Sequence, residues 1–264
     1  MVPPVVPDAL PDAPHPAPAQ PVMTVLFEDD ELVAVAKPPG LAVVPERGAD
    51  PAGSLRHRLE AARREPLWVA HRIDKDTSGV VVLARTAAAH RWLNDAFAAR
   101  RVHKRYVAFA AGDLPGTRTV DVPLVEARRG KARPAAPGER GKPSVTRFVA
   151  TARWRRPPGA SPADPATAAV TCLDAFPETG RHHQIRVHLR SLEAPIVLDP
   201  LYGKRTLRGM LTGAPCTRLA LHAARLELTR PDGRPLAIEA PLPPDLVALA
   251  AWLDATWRRQ PEGA

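Results

Sequence analysis

Cysteine is scarce in this sequence, and its scarcity limits the ways in which the fold can be stabilised. The 264 residues include two cysteines, Cys172 and Cys216, which lack the close CxxC spacing of a zinc ribbon. Neither a disulfide framework nor a structural zinc site is predicted. A chain of this length can bury a sizeable core in one large domain or two small ones without cross-links. The low cysteine content is typical of reducing compartments, and we expect a cytoplasmic protein.

Long apolar segments are missing as well. No segment reaches the roughly 20 apolar residues of a membrane-spanning helix, and residues 1–20 lack the basic and apolar regions of a signal peptide. Proline and alanine dominate these first residues, so they cannot sustain a helix or a strand ladder. We therefore expect a disordered tail over 1–20, a folded domain over 21–260 and no membrane contact.

Acidic residues are fewer than basic ones. The 37 lysines and arginines exceed the 28 aspartates and glutamates, which gives a net charge of +9 and a pI near 10.3. Such a balance suits a polyanionic partner, nucleic acid above all. Arginine, alanine and proline are all abundant, however, as in proteins encoded by GC-rich sequences. Part of the arginine content is therefore also explained by base composition and not by function. Charge alone leaves both interpretations open.

The pattern of apolar residues predicts an α+β fold with a mixed, mainly antiparallel sheet and flanking helices. Two β-rich runs around an acidic turn, a Pro-Pro-Gly break and a third run occupy 24–44. Helical spacing is found at 54–64, 86–100, 180–192 and 244–258. Further strands are predicted at 102–112, 117–125, 145–152 and 168–176. The segment LALHAARLELT is a helix or a strand that leads into a hairpin at Asp232-Gly233. Two insertions are expected to be surface loops: 127–142, which is basic and rich in Gly and Pro, and 155–166, which is Pro-rich.

The most informative segment runs from His71 to Gly79, where polar side chains crowd a short loop between two apolar runs. A loop fixed by strands on both sides is a rigid place to present a reactive group. An ordinary charged turn is the alternative, with Asp76 and Thr77 capping the backbone through their side chains. The residues alone favour capping for Asp76 and Thr77, and they leave the role of Asp74 open.

This segment, HRIDKDTSGV, resembles the H-R-L-D-x-x-T-S-G-L signature of the RluA-type RNA pseudouridine synthases, with Ile73 and Val80 as conservative replacements. Four more blocks stand in the family's order over about 24–250. They are DDELVAVAKPPGL, KRYVAFAAG, ETGRHHQIRVHL with LDPLYG, and RLALHAARLELTRP. His182 departs from the family pattern, which often has threonine there. The S4-type RNA-binding domain of some relatives is not expected, because the tail is short and Pro-rich.

The resemblance implies a pseudouridine synthase-like catalytic domain over 21–260, acting on structured ribosomal or transfer RNA without a cofactor or metal. Such an enzyme breaks the N1–C1′ bond of a uridine, rotates the base and joins C5 to C1′. Asp74 would attack either C1′ or C6, Arg186 would keep it ionised, and Tyr106 would stack on the base and act as a general base. RNA contacts are implied for Arg72, which would fill the vacated stack, and for His71, Thr77, Lys104, Arg181, His183 and Gln184.

Three rival interpretations are weaker. Histidines 182, 183 and 188 could suggest a metal site, but they lack the i, i+4 spacing of helical zinc sites. Asp74 and Asp76 could form a glycosidase pair, although residues two apart on a loop rarely face each other. A non-catalytic RNA-binding protein of the same fold would be expected to have lost Asp74, whereas this chain keeps it together with Tyr106 and Arg186. We expect a monomer.

Overall fold

The structure is a computed structural model that describes residues 23–46, 48, 50–127, 130–157, 168–203 and 211–261. Over these residues the chain forms one 11-stranded, mainly antiparallel sheet, a separate two-stranded hairpin and four α-helices. The predicted α+β class is therefore confirmed. The large sheet comprises β1 Thr24–Glu28, β2 Leu32–Lys37, β3 Trp68–Val69, β4 Ser78–Ala84, β5 His103–Ala110, β6 Thr117–Asp121, β9 Val145–Arg155, β10 Ala169–Pro177, β11 Leu221–Thr229, β12 Pro235–Glu239 and β13 Arg258–Arg259.

The hairpin consists of β7 Leu124–Ala127 and β8 Lys131–Pro134, and the helices are α1 Leu55–Arg63, α2 Ala87–Ala98, α3 Gln184–Ser191 and α4 Pro244–Thr256. The first two helices each begin directly after a polar N-cap residue, Ser54 and Thr86. The Ser54 hydroxyl accepts a hydrogen bond from the His57 amide at 3.4 Å, and the Thr86 hydroxyl accepts one from the Ala89 amide at 3.0 Å. Each cap satisfies an amide at the start of its helix that has no intrahelical acceptor.

The centre of the sheet fixes the polar loop. Strand order along the sheet is β1-β2-β4-β11-β5-β10-β9-β13, and β4 runs parallel to β11 with Gly79 opposite Ala223. A Cβ atom on Gly79 would lie 2.1 Å from the Ala223 carbonyl oxygen, and the φ of Gly79 is +118°. Only glycine fits this close approach. Gly79 thus lets β4, the strand that follows the polar loop, pair closely with β11 inside the sheet.

Three buried clusters pack on the two faces of this sheet. The largest lies among β5, β9, β10, α3 and α4 and includes Phe109, Phe148 and Leu189, all at most 1% exposed. Full burial of such a side chain contributes roughly 1.5–3 kcal/mol. The clusters therefore hold β5 and α3, the two elements that carry Tyr106 and Arg186, in fixed positions.

The structure differs from the sequence prediction at the start of the chain. The third β-rich run, 41–44, is not a strand, because the Ala42 and Val43 carbonyls accept hydrogen bonds from the amides of Leu55 and Arg56 at 2.8 and 3.1 Å. These bonds serve the first turn of α1 instead of a sheet. The LALHAARLELT segment forms the strand β11, so the helical alternative was wrong. It leads to the predicted hairpin at Asp232-Gly233.

The predictions for the basic insertion and for α3 also need correction. The insertion 127–142 is not wholly a loop, because β8 pairs with β7 within it, and the strand predicted over 117–125 divides at Pro123 into β6 and β7. Helix α3 begins at Gln184 and not at residue 180, since His183 has a left-handed φ of 54°. Residues 158–166 of the second insertion, and the predicted tail over 1–20, lie outside the described residues.

Candidate active site

All ten residues that the sequence indicated for catalysis or RNA contact line one cavity of about 320 Å³. The cavity lies between the polar loop before β4, the first half of β5 and the start of α3. Its volume is at the lower end of the roughly 300–1,000 Å³ range of small-molecule sites. The ten residues are His71, Arg72, Asp74, Thr77, Lys104, Tyr106, Arg181, His183, Gln184 and Arg186.

Asp74 ends a row of three charged side chains. Its Oδ2 accepts a hydrogen bond from Arg186 Nη1 at 3.1 Å, and Arg186 donates two more, from Nε and Nη2, to Asp199 at 2.8 Å each. Arg186 and Asp199 are both 2% exposed. Burial opposes the charge of Arg186, but its hydrogen bonds and attraction to Asp199 and Asp74 outweigh burial and raise its pKa. A permanent, bidentately held cation thus faces the Asp74 carboxylate.

Lys37, a residue of the KPPG block, stabilises the loop that carries Asp74. Its ammonium is 1% exposed and donates to the carbonyls of Pro38, Leu41 and Lys75 at 2.7–2.8 Å. The Thr77 amide donates to the Asp74 carbonyl at 3.1 Å, which closes a turn. Asp74 is therefore preorganised by backbone contacts on both of its sides.

Tyr202 connects this centre to the hairpin, a link that the sequence reasoning missed. Its hydroxyl accepts a hydrogen bond from the Ala132 amide at 2.7 Å and lies 2.9 Å from His183 Nδ1. Burial lowers the pKa of His183 to about 4, so its ring is neutral at pH 7. When the hydroxyl donates to Nδ1, the ring proton stays on Nε2, which lies 3.8 Å from Asp74 Oδ2. The LDPLYG block, which contains Asp199 and Tyr202, was the available signal for both.

Strand β5 brings Tyr106 and Lys104 to the same wall, because alternate residues of a strand share a face. Burial, and after it the charge of Asp74, raises the pKa of Tyr106, so the phenol stays protonated. Burial lowers the pKa of Lys104 to about 8. Its Nζ donates a long hydrogen bond of 3.4 Å to the Thr179 carbonyl.

His71, Thr77 and Gln184 belong to the framework of the cavity. His71 Nε2 accepts from the Val82 amide at 3.0 Å, and burial, then the charge of Lys104, lowers the pKa of His71 to about 3. The Gln184 side chain accepts from Thr179 and Arg181 and donates to Val145 and Thr146. Thr77 is 1% exposed, and its hydroxyl has no hydrogen-bond partner among the described residues. RNA contact by these three stays a prediction.

Basic side chains surround the mouth of the cavity. A second cavity of about 440 Å³ lies beside the hairpin, and its walls include Arg72, Arg140, Lys142 and Arg181. A third, of about 490 Å³, extends from Asp74 towards Glu46. Arg72 is exposed and lines all three cavities. A strand of nucleic acid can follow these grooves with its phosphates on the basic groups.

Asp74, His182 and His183 form the one group of possible metal ligands found among the described residues, with ligand atoms within 4.8 Å of one another. The Arg186 guanidinium, however, already donates to the same Asp74 oxygen at 3.1 Å. A metal ion on that oxygen would be repelled by this fixed positive charge. We therefore assign these residues to the carboxylate centre and not to a metal centre.

The fold and the site define a class of protein: an α+β domain with a preorganised carboxylate in a cavity at the edge of basic grooves. Comparison with known proteins agrees, since residues 31–191 match the model of the RNA pseudouridylate synthase family. The ribosomal large subunit pseudouridine synthase D of Xanthomonas campestris pv. campestris is 38% identical, over 90% of this chain and 72% of that protein. The tRNA pseudouridine synthase C of Salmonella typhimurium is 35% identical, over 90% and 91% of the two chains.

The structure of the human RNA pseudouridylate synthase domain containing 1 has the same fold, with a TM-score of 0.71 at 23% identity over 92% of this chain and 91% of that one. This chain belongs to the RNA pseudouridylate synthase family. No helix of the described residues is long and apolar enough to cross a membrane.

Proposed function

We propose that this protein isomerises specific uridines of ribosomal or transfer RNA to pseudouridine, with Asp74 as the reacting carboxylate. The observation that carries the proposal is the row Asp74–Arg186–Asp199 at the base of the 320 Å³ cavity. Both Arg186 and Asp199 are buried, and a buried ion pair is costly to keep. The fixed geometry of the Arg186–Asp199 pair is explained if Arg186 must keep the Asp74 carboxylate ionised and oriented towards a substrate.

The cavity suits a uridine that has left its base stack. Base flipping exposes the glycosidic bond, and Arg72, exposed at the meeting point of the three cavities, is placed to fill the vacated stack. Tyr106 offers its ring as a stacking surface. Because its pKa is raised, its hydroxyl acts as a base only after it gives up its own proton. Asp74 attacks C1′, or alternatively C6 of the base.

The basic grooves support binding of structured RNA through phosphates. Arg72, Arg140, Lys142 and Arg181 line one groove beside the hairpin, and such contacts position RNA without reading its sequence. One relative is named for ribosomal RNA and another for transfer RNA, so both classes are candidate substrates. We expect a cytoplasmic protein, because its cysteine content is low, and a monomer as the default state.

The test is direct. Purified protein is incubated with ribosomal and transfer RNA from cells that lack this gene, and pseudouridine is mapped by position. We expect conversion at one or a few uridines, and the same positions should lack pseudouridine in those cells before treatment. Tight RNA binding without conversion would instead support the alternative of a non-catalytic RNA-binding protein of this fold.

A further inference from the structure

Four cations line the cavity, and Lys104 differs from the others in its position. Arg72 and Arg181 also line the groove beside the hairpin, and Arg186 also lines the third cavity, whereas Lys104 lines neither of them. No carboxylate among the described residues forms an ion pair with Lys104. Asp74 is the acidic residue of the cavity wall, and its Oδ2 is bound to Arg186 at 3.1 Å. The Nζ of Lys104 has a long hydrogen bond of 3.4 Å to the Thr179 carbonyl. The charges of Arg186, Asp74 and Asp199 sum to minus one, and Lys104 is the cation of this cavity wall that does not also face the outer grooves.

The Lys104 ammonium has more N–H donors than its one described hydrogen bond uses. A lysine carries three N–H donors, and one long hydrogen bond leaves at least two of them free to meet a ligand in the cavity. Burial disfavours its charge, lowering the pKa of Lys104 to about 8, and the neighbouring His71 is neutral. Enzymes place such desolvated donors where negative charge develops in a reaction.

The isomerisation creates negative charge on the base. When the N1–C1′ bond breaks, its electron pair goes to N1, and the charge of the detached uracil is spread over N1, O2 and O4. During this step Asp74 stabilises C1′, either by a covalent bond or by electrostatic attraction to the positive charge at that carbon. C5 then bonds to C1′, and any ester bond between Asp74 and C1′ breaks with its electron pair returning to the carboxylate. The C5 proton passes to a base of the cavity or to water, and N1 takes a proton from water, so that atoms and electrons balance.

We propose that Lys104 is a catalytic residue that binds the detached uracil as its anion, donating from Nζ to a carbonyl oxygen of the base. This assignment rests on the proposed function. Lys104 shares the β5 wall with Tyr106, the predicted stacking surface, and both line the same cavity. Lys142, by contrast, is exposed in the groove beside the hairpin and belongs to a phosphate path.

The experiment compares two leaving groups in single-turnover reactions at saturating RNA. One RNA carries uridine at the target position and the other 5-fluorouridine, whose base leaves more easily because fluorine stabilises the anion. Consumption of the target nucleoside is measured for the wild type, Lys104→Met, Lys104→Arg and, as a control, Arg258→Met, which removes a cation from the edge strand β13, outside the cavity. Circular dichroism melting checks each fold, and Lys104→Gln replaces the methionine variant if that variant melts early.

We expect Lys104→Met to slow the reaction of uridine by roughly 100- to 1,000-fold, the size of loss seen when one electrostatic donor is removed. The loss should be at least about tenfold smaller with 5-fluorouridine, and Lys104→Arg should recover most of the rate. Arg258→Met should leave the RNA affinity and both rates unchanged.

Equal losses on both RNAs, or a loss of affinity without a loss of rate, would overturn the assignment and make Lys104 a phosphate ligand. A wild type that leaves both RNAs unchanged would overturn the proposed function itself. The two failures are therefore distinguishable.

Discussion

Asp199 is the residue on which the orientation of Arg186 depends. Both of its carboxylate oxygens accept from the guanidinium at 2.8 Å, and Oδ1 also accepts from the amides of Leu201 and Tyr202. Burial alone would raise the pKa of Asp199, but the hydrogen bond and charge of Arg186 outweigh it and lower that pKa. Arg186 therefore meets Asp74 with its position already fixed.

Replacing Asp199 with asparagine should reduce both stability and turnover. The amide keeps the size but leaves a buried guanidinium without its main counter-charge, which costs about 3–5 kcal/mol when one partner of a buried pair is removed. We expect a melting temperature lower by several degrees. At an assay temperature well below the melting transition, the rate of pseudouridine formation should be at least tenfold lower, and the RNA affinity should be retained. Melting, single-turnover rate and a binding titration measure the three quantities.

Asp245 provides the matched control for this prediction. It also binds an arginine bidentately, Arg218, at 2.7 and 3.0 Å. Arg218 is not among the residues that line the cavity, whereas Arg186, the partner of Asp199, is. Asp245→Asn should lower the melting temperature and leave the rate unchanged. If both variants lose rate alike, the effect of Asp199 is general destabilisation and not a role at the site.

The sequence was sufficient to predict which residues lie at the site, but not which residues they contact. Asp74, Tyr106 and Arg186 were identified from motif blocks, and the structure brings all three to one cavity. The pairing of Arg186 with Asp199 depends on the turn after α3, and the bond from Tyr202 to the Ala132 amide joins segments 70 residues apart. Neither contact is encoded in a local pattern.

Among the elements, the β7–β8 hairpin shows why composition misled the prediction. Its glycines, prolines and charges indicated a loop, yet Leu124 and Ala132 form a small buried cluster with Val187 and Tyr202. This cluster and the Tyr202 hydroxyl dock the hairpin onto α3. Tertiary packing thus provides the stability that local propensity does not.

The basic side chains of the insertion 127–142, next to this hairpin, should bind phosphate without taking part in the chemical step. Shortening the insertion, or replacing both Arg140 and Lys142 with alanine, should weaken RNA affinity. The slope of log K against log salt concentration should become less steep by about 1 to 2, since each lost phosphate contact removes roughly 0.7 to 0.9 from that slope. The single-turnover rate at saturating RNA should be unchanged. Binding titrations over a range of salt concentrations measure the first effect.

Arg258 and Arg259 on β13, at the edge of the sheet, give the control pair. Their replacement by alanine removes the same charge and should leave the salt dependence as in the wild type. A collapse of the saturated rate in the Arg140 and Lys142 variant would place the hairpin in the active site. No change in affinity would mean a tolerated insertion without RNA contacts.

For the whole molecule, alternating apolar runs were enough to predict a mainly antiparallel sheet with flanking helices. The parallel pairing of β4 with β11, which joins residues 144 apart at Ser78 and His222, could not be read from either strand alone. That pairing places the polar loop at the centre of the sheet. The fold class is therefore readable from periodicity, and the location of the site depends on topology.

Residues 1–20 should contribute neither to the fold nor to catalysis, because so Pro-rich a segment buries little apolar surface. Their deletion should leave the melting temperature and the turnover unchanged. Calorimetry and a steady-state assay measure both quantities against the full chain. A fall of several degrees would show instead that this segment docks on the domain.

The central claim is that the Asp74 carboxylate performs the reaction. Asp74→Asn keeps the size and some hydrogen bonding but replaces an ionised oxygen with a neutral amide, which can neither attack C1′ nor stabilise positive charge there. The fold should persist, because the loop position has little packing to lose, and RNA affinity should change little, since it depends mainly on phosphate contacts. Circular dichroism and a binding titration check these two conditions.

The deciding measurement is pseudouridine formation by Asp74→Asn on an RNA that the wild type converts. We predict no detectable product at enzyme concentrations and times at which the wild type completes the reaction. Activity within tenfold of the wild type would contradict the role of Asp74 and, with it, the mechanism.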